Sequence, residues 1–225
     1  MADINSIQQL AKSLNLFHIA DGSVDLHNES LSNLDYLEYV LRAEADMRLQ
    51  SRAARLKRRS KLPKKQYDDT VLNSGQLWQI EQLETMEWTS SFQNLLIIGK
   101  CATGKTSLAV RIGEKAINSG IQTYYSTADN FITVIRSMEK LPKADSIFNY
   151  MKNSDLIIID ELFYTDYTRE ELHLLYRGLM FLNETRSIIF VTNREVSSWT
   201  DASEDRHLMQ TLTDRILSGS QILRL

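Results

Sequence analysis

The sequence predicts an α/β fold: a parallel sheet of about five buried strands wrapped by helices, preceded by a small all-helical domain. Three observations carry that prediction. Short apolar runs (Leu95–Ile98, Gln122–Thr127, Leu156–Ile159, Ser187–Val191 and Gln221–Leu225) alternate with longer amphipathic stretches. Runs of that length, bounded by polar residues and separated by helices, are parallel strands covered on both faces. Residues 5 to about 65 show helical periodicity instead. Glycine and proline are scarce, eight and two in 225 residues, so the chain is poor in turns and rich in helix. The domains expected are residues 1–65 and 66–225.

The elements follow in order. Ile7, Leu10 and Leu14 share a helix face at spacings of three and four. Asp21-Gly22-Ser23 marks a break. Ser32, three residues before Asp35, is an N-cap signal for a second helix, along which Leu34, Leu37, Val40 and Leu41 form an apolar stripe. That helix continues through Met47 into a basic stretch, until Pro63 stops it. A polar, partly helical connector with Trp78 and Trp88 spans 66–94, and the alternating strands and helices begin at Asn94.

Composition excludes several classes. At 43% hydrophobic and 24% charged residues, the chain has the make-up of a globular protein. It has no apolar run of eighteen residues, hence no expected transmembrane helix, and its acidic, polar beginning is unlike a signal segment. Cys101 is the only cysteine, so neither a disulfide framework nor a cysteine-rich zinc site is expected. His18, His27, His173 and His207 lack metal-ligand spacing. A cytoplasmic protein with no membrane partner is the expectation.

The net charge of −3 conceals an asymmetry. Arg48, Arg52, Arg55, Lys57, Arg58, Arg59, Lys61, Lys64 and Lys65 fall within eighteen residues that contain no acid. The rest of the chain has seventeen basic against twenty-nine acidic residues, or −12. An acidic body with one concentrated basic segment points to a located anionic partner.

Gly99-Lys100-Cys101-Ala102-Thr103-Gly104-Lys105-Thr106 fits the phosphate-loop pattern Gly-x-x-x-x-Gly-Lys-(Ser/Thr). It follows the run Leu95–Ile98 and opens a helix through Leu108, Ile112 and Ala116, the strand–loop–helix setting such a loop needs. Glycines let the backbone curl around phosphate oxygens, and the helix N-terminus adds its positive dipole end. Lys105 is assigned to the β- and γ-phosphates of a bound nucleotide and the Thr106 hydroxyl to Mg²⁺, with Ser107 completing the nucleotide-binding set. Cys101 reads as a small filler residue.

Leu156–Ile159 ends in Asp160-Glu161, 55 residues beyond Lys105. Ligands bind at the carboxyl ends of strands in open α/β sheets. Asp160 is expected to hold Mg²⁺, and Glu161 to polarise the attacking water as general base. The adjacent acids favour hydrolysis of a nucleoside triphosphate over phosphoryl transfer to a small molecule. Ser187–Val191 ends in Thr192-Asn193-Arg194, where Asn193 can orient the water or touch the γ-phosphate, while Arg194 is left to DNA, a neighbouring subunit or solvent. Arg215, beside Leu212 and Ile216 on an amphipathic helix, reads either as half of a surface pair with Asp214 or as an arginine finger toward a neighbour's γ-phosphate.

These residues together resemble a family. The chain is similar to the IstB-like, DnaC-related branch of AAA+ ATPases, the ATP-binding helpers of insertion-sequence transposases. The resemblance runs through Glu44, Arg48 to Lys61 and Leu62-Pro63 in the helical region, then Gly99–Thr106, Leu156–Glu161 with Tyr164, Thr192-Asn193 followed by Trp199, and Asp214-Arg215. It implies an AAA+ core with strand order 5-1-4-3-2, and ATP-dependent homo-oligomers on duplex DNA with nucleotide at subunit interfaces. It further implies delivery or stimulation of a partner transposase, and matches Arg215 to the family's trans-acting arginine. The loop departs from the usual Gly-Pro-Pro-Gly-Thr-Gly. The family's usual Gly-x-Ser-Tyr-Arg-like continuation is also missing from this chain, which stops at Leu225.

The basic segment is the expected DNA surface, through Arg48, Arg52, Arg55, Arg58, Arg59 and Lys61. Its cations are too closely spaced to occupy one helix face, and no aromatic residue interleaves them, which favours duplex backbone over single-strand stacking. The alternatives are a DnaC-type loader acting on single-stranded DNA and a replicative helicase, a small-molecule kinase, and a nucleotide-gated scaffold whose hydrolysis is a timer. Apolar residues between Leu72 and Ile80 are the expected adenine pocket, or else pack a domain junction.

Overall fold

The computed structural model describes residues 3–27, 31–66, 72–183 and 186–225. The five apolar runs form β1 (Asn94–Ile98), β2 (Thr123–Thr127), β3 (Leu156–Asp160), β4 (Ser187–Thr192) and β5 (Ser220–Arg224). All pairings are parallel and the strand order is β2-β3-β4-β1-β5, which is 5-1-4-3-2 read from the other edge. Side chains alternate across a strand, and the core divides accordingly. Leu96, Ile98, Ile157, Ile159, Ile188 and Phe190 pack into one cluster, and Leu95, Ile97, Leu156, Ile158, Ile189 and Val191 into the other.

Helices cover both faces. Among the described residues, α4 (Ser74–Leu83), α5 (Glu87–Ser90) and α6 (Lys105–Asn118) supply Ile80, Leu83, Trp88, Leu108 and Ile112 to the second cluster. The first cluster is closed by α7 (Ala128–Ser137), α8 (Pro142–Lys152), α9 (Arg169–Asn183) and α10 (Arg206–Ser218), with Phe131, Met151, Leu172, Leu175 and Met209. Edge strand β5 has its backbone carbonyls met by α4: Gln76 Nε2 donates to Arg224 O at 2.6 Å and Gln79 Nε2 to Ile222 O at 3.2 Å. An edge engaged in this way is a poor template for another strand.

The chain divides into two compact units, Met1–Arg55 and Leu56–Leu225. The division falls inside α3 (Asn33–Ser60). In the first unit, α1 (Ile4–Ser13), α2 (Phe17–Ala20) and α3 enclose a small core of Ala11, Ile19, Val24 and Val40. Ser32 caps α3 as expected, its hydroxyl accepting from Asp35 N–H at 3.3 Å. The expected apolar stripe does not form the core. Leu34 is 79% exposed, and Leu37 and Leu41 also face solvent, while Val40 is buried. At 100° per residue, Tyr36, Val40, Ala43 and Met47 share the packed face, and the three leucines lie on the other side. Ile7 and Leu10 of α1, and Leu14 directly after it, are exposed as well. The helix ends at Ser60, before Pro63, where Lys61 turns left-handed at φ 60°.

Glu44 organises this unit. Its buried carboxylate accepts from the N–H groups of His18 and Ile19, both at 2.8 Å, and from Arg48 Nε at 2.7 Å. Burial pushes the carboxyl up, but the Arg48 guanidinium and the two backbone donors outweigh it and hold the group below the usual carboxylate range.

Residues 67–71 of the expected connector lie outside the described residues. Among the described residues, no helix is long and apolar enough to cross a membrane.

Candidate nucleotide site

The sheet order sets the site. Strand β4 lies between β1 and β3, so Gly99, Asn193 and Asp160 leave three adjacent strands at one carboxyl edge. The loop after β1 turns through Ala102 at φ 64° and Gly104 at φ 87°, then opens α6 at Lys105. Gly99 is required by space: a Cβ there would sit 2.5 Å from Leu225 O and 2.9 Å from Thr103 Oγ1.

Lys105 folds over its own loop. It is 9% exposed, and its Nζ donates to Lys100 O at 2.5 Å. Burial pushes the ammonium below its usual range, while Cys101 and the Asp160 carboxylate pull it back. Thr103 Oγ1 donates to the same carbonyl at 3.0 Å, while Thr106 and Ser107 are half-buried on the first turn of α6.

Asp160 is buried at the end of β3 with both oxygens engaged. The Glu161 N–H donates to Oδ1 and the Tyr125 hydroxyl to Oδ2, each at 2.8 Å. Burial, and then the Asp160 charge, push the Tyr125 hydroxyl far above its usual range, so it stays a proton donor. Glu161 is exposed and left-handed at φ 59°, with Phe163 likewise at φ 58°. Two hydrogen bonds pin this turn to β4: Leu162 N–H to Val191 O at 2.9 Å and Thr192 Oγ1 to Leu162 O at 2.7 Å. A left-handed non-glycine residue persists only where its surroundings over-determine it.

Asn193 reaches the loop, with Nδ2 3.5 Å from Cys101 Sγ. Its Oδ1 is buried without a hydrogen-bond partner among the described residues. Arg194 pairs with Asp166 at 2.6 Å, and Trp199, fully buried against Phe163, donates its indole N–H to Arg194 O at 3.1 Å. The turn after β4 is thereby held.

The remaining expected residues make contacts of their own. Arg215 is exposed on α10 and has no ion-pair partner among the described residues; Asp214 accepts from Gln210 at 2.9 Å instead of pairing with Arg215. Within the connector, Ile80 packs into the core and Leu72 rests against it, while Trp78 is exposed. Of the basic segment, Arg48 pairs with Glu44, Lys57 with Glu114 at 2.7 Å, and Arg59 lies over the Tyr150 ring at 4.3 Å. Arg52, Arg55, Arg58 and Lys61 are exposed, without ion pairs among the described residues.

Hard divalent cations take oxygen ligands, and Mg²⁺ is commonly held by one or two protein oxygens together with substrate phosphates. Thr106 and Asp160 suit that chemistry. Among the described residues there is no cluster of three or more acidic, His or Cys side chains that would form an all-protein metal cage.

The model of the IstB-like ATP binding protein family matches residues 9–225. The chain belongs to that family. Relatives include an insertion-sequence protein of Bacteroides fragilis named as an IS21-like ATP-binding protein. It is 27% identical over 225 residues, covering 96% of this chain and 86% of that one. The corresponding IS5376 protein of Geobacillus stearothermophilus is 29% identical, covering 87% and 81%. Among solved structures, AMPPCP-bound DnaA from Aquifex aeolicus aligns with TM-score 0.57 at 24% identity, over 72% of this chain and 50% of that chain. The DnaC helicase loader aligns with TM-score 0.57 at 17% identity, over 74% and 96%. These structural likenesses show a shared fold: the parallel five-stranded sheet and its covering helices recur in the matched parts of those two proteins.

Tyr125 was missed in the sequence reading because a tyrosine within an apolar run looks like core. Its register with Ile158, two residues before Asp160 on the neighbouring strand, is the signal that places it there.

Proposed function

We propose that this ATP-binding family member hydrolyses ATP, assembles as a homo-oligomer on duplex DNA with nucleotide at its subunit interfaces, and recruits or stimulates a partner transposase. The observation that carries the reading is the convergence of Gly99–Thr106, Asn193 and Asp160-Glu161 on three adjacent strand ends. The insertion-sequence relatives supply its setting. Residues 1–65 act as the helical, DNA-contacting domain and 66–225 as the ATPase domain.

The residues divide the work. Backbone N–H groups of Gly99 to Ser107 and the N-terminus of α6 bind the phosphates. Lys105 leaves the Lys100 carbonyl for the β- and γ-oxygens. Thr106 and Asp160 hold Mg²⁺, which when bound neutralises phosphate charge. Tyr125 and the Glu161 N–H fix the Asp160 carboxylate. Glu161 takes the proton of the attacking water, and Asn193, through its free Oδ1, orients that water. Arg215 stabilises transition-state charge in a neighbour's site, which ties assembly to the γ-phosphate. Arg48, Arg52, Arg55, Arg58, Arg59 and Lys61 form the DNA-facing segment, with Arg52, Arg55, Arg58 and Lys61 as direct phosphate contacts because no acid among the described residues pairs with them.

The test is fluorescence anisotropy of labelled duplex and single-stranded DNA with Mg²⁺ and either ATP or ADP, alongside sizing of the complexes. Tight duplex binding with ATP alone, lost together with assembly in Lys105→Ala, is expected. A single-strand preference would favour the helicase-loader reading, and normal assembly of Lys105→Ala on DNA would overturn nucleotide gating.

A further inference from the structure

On the helical layer formed by α7, α8 and α9 lies a cavity of about 710 Å³ that the nucleotide chemistry does not use. Its apolar lining includes Ile135, Met138, Phe148, Tyr176, Met180 and Phe181. Gly178 brings α9 close to α7: a Cβ there would lie 2.6 Å from the Phe131 ring. Phe181 is 50% exposed and tilts against Phe148 at 5.6 Å between ring centroids, so an aromatic pair stands open to solvent. A large aromatic left open beside other apolar groups is a common mark of an interaction site.

The charge around the cavity selects the partner. Lys152, Arg177 and Arg186 line it, and no acidic residue does so among the described residues. Outside the basic segment the chain carries twenty-nine acids against seventeen bases, so a rim whose charged members among the described residues are all cations is a local reversal. Lys152 is held over the Phe181 ring at 4.9 Å, and Arg186 Nε donates to Lys152 O at 3.0 Å. Arg177 is exposed and has no ion pair among the described residues. A DNA backbone would match the cations but leave the apolar floor unused. An apolar helix would fill the floor but offer nothing to the Arg177 guanidinium or the Lys152 ammonium.

We propose that the α7–α8–α9 cavity docks an acidic amphipathic helix of a partner protein, its apolar residues at spacings of three and four entering between Phe148, Met180 and Phe181 and its carboxylates meeting Arg177 and Lys152. Helix-in-groove recognition uses this combination of spaced apolar anchors and flanking charge. The proposal stands independently of nucleotide hydrolysis.

The probe is a fluorescein-labelled synthetic helix with leucines at spacings of three and four and glutamates flanking them. Its anisotropy is measured against the full chain. A lysine-flanked twin of the same pattern is the control. Binding of the glutamate probe and not the lysine twin is expected. Phe181→Ser weakens it about tenfold or more, and Arg177→Glu at least about fivefold, with the Arg177 effect shrinking at high salt. Leu37→Ser, on the other exposed apolar face, leaves binding unchanged. Circular dichroism melts confirm that each variant folds. No binding, equal binding of the lysine twin, loss on Leu37→Ser alone, or displacement of the probe by duplex DNA with parallel loss of DNA affinity in Arg177→Glu would each overturn the proposal.

Discussion

Replacing Tyr125 with phenylalanine removes one hydroxyl and nearly nothing else. That hydroxyl donates to Asp160 Oδ2 at 2.8 Å, and Asp160 is a buried carboxylate whose other oxygen retains the Glu161 N–H. A hydrogen bond to a charged group contributes about 1.5–3 kcal/mol. Because the second oxygen stays satisfied, about 2 kcal/mol is expected for Tyr125→Phe. For a unit of this size, Leu56–Leu225, that corresponds to roughly a 4–8 °C fall in melting temperature. All three tryptophans lie in this unit, so fluorescence during urea unfolding reports on it selectively. A double-mutant cycle with Asp160→Ala isolates the pair. Tyr125→Phe should cost little once the carboxylate is gone, for a coupling of about 1.5–3 kcal/mol. A coupling below about 0.5 kcal/mol would show that Tyr125 does not hold Asp160. The same variant should also weaken the Mg²⁺ dependence of nucleotide binding, read by titrating Mg²⁺ at fixed nucleotide.

Other outcomes follow from the same geometry. Glu161→Gln keeps the turn but removes the base, so ATP binding persists while hydrolysis falls about a hundredfold or more; a phosphate-release assay that finds undiminished turnover would remove Glu161 from the chemistry. Arg52, Arg55 and Arg58 changed together to alanine should weaken duplex binding and lower the slope of log affinity against log salt by up to about three, whereas a salt slope equal to wild type would place the DNA elsewhere. Glu44 has a folded pKa below its usual 4.5. Its stabilisation is therefore present above pH 4.5 and is lost as pH falls through the lower folded value. Hydrogen exchange at His18 and Ile19 should accelerate over that range in the wild type and be fast at every pH in Glu44→Gln; protection unaffected by the substitution would refute the capping role.

The sheet was legible because β1, β3 and β4 are buried on both faces and leave uninterrupted apolar runs such as Leu156–Ile159. The phosphate loop was legible because its chemistry demands residue types at fixed spacing. The helical unit was less so. Periodicity tells which residues share a face, not which face finds a partner, and α3 carries apolar residues on two sides. Its neighbours took the side with Val40 and Met47, leaving Leu34, Leu37 and Leu41 outside. Charge density was also an incomplete guide. Arg59 stacks on a tyrosine ninety-one positions away and Lys57 pairs with Glu114, partners that only tertiary structure brings near. Glu44 and Tyr125 act through long-range hydrogen bonds that leave no local pattern.

The absence of a Cβ at Gly99 has a mechanical side. Helix α10, which carries Arg215, ends at Ser218, and the single residue Gly219 joins it to β5. Strand β5 is zipped to β1 along Asn94 to Ile98, and the carbonyl of Leu225 abuts Gly99 with no side chain between them. A push on α10 therefore has a short, stiff load path through the edge strand into the first turn of the phosphate loop. Strain applied to that helix can thus reach the phosphate loop of the same chain.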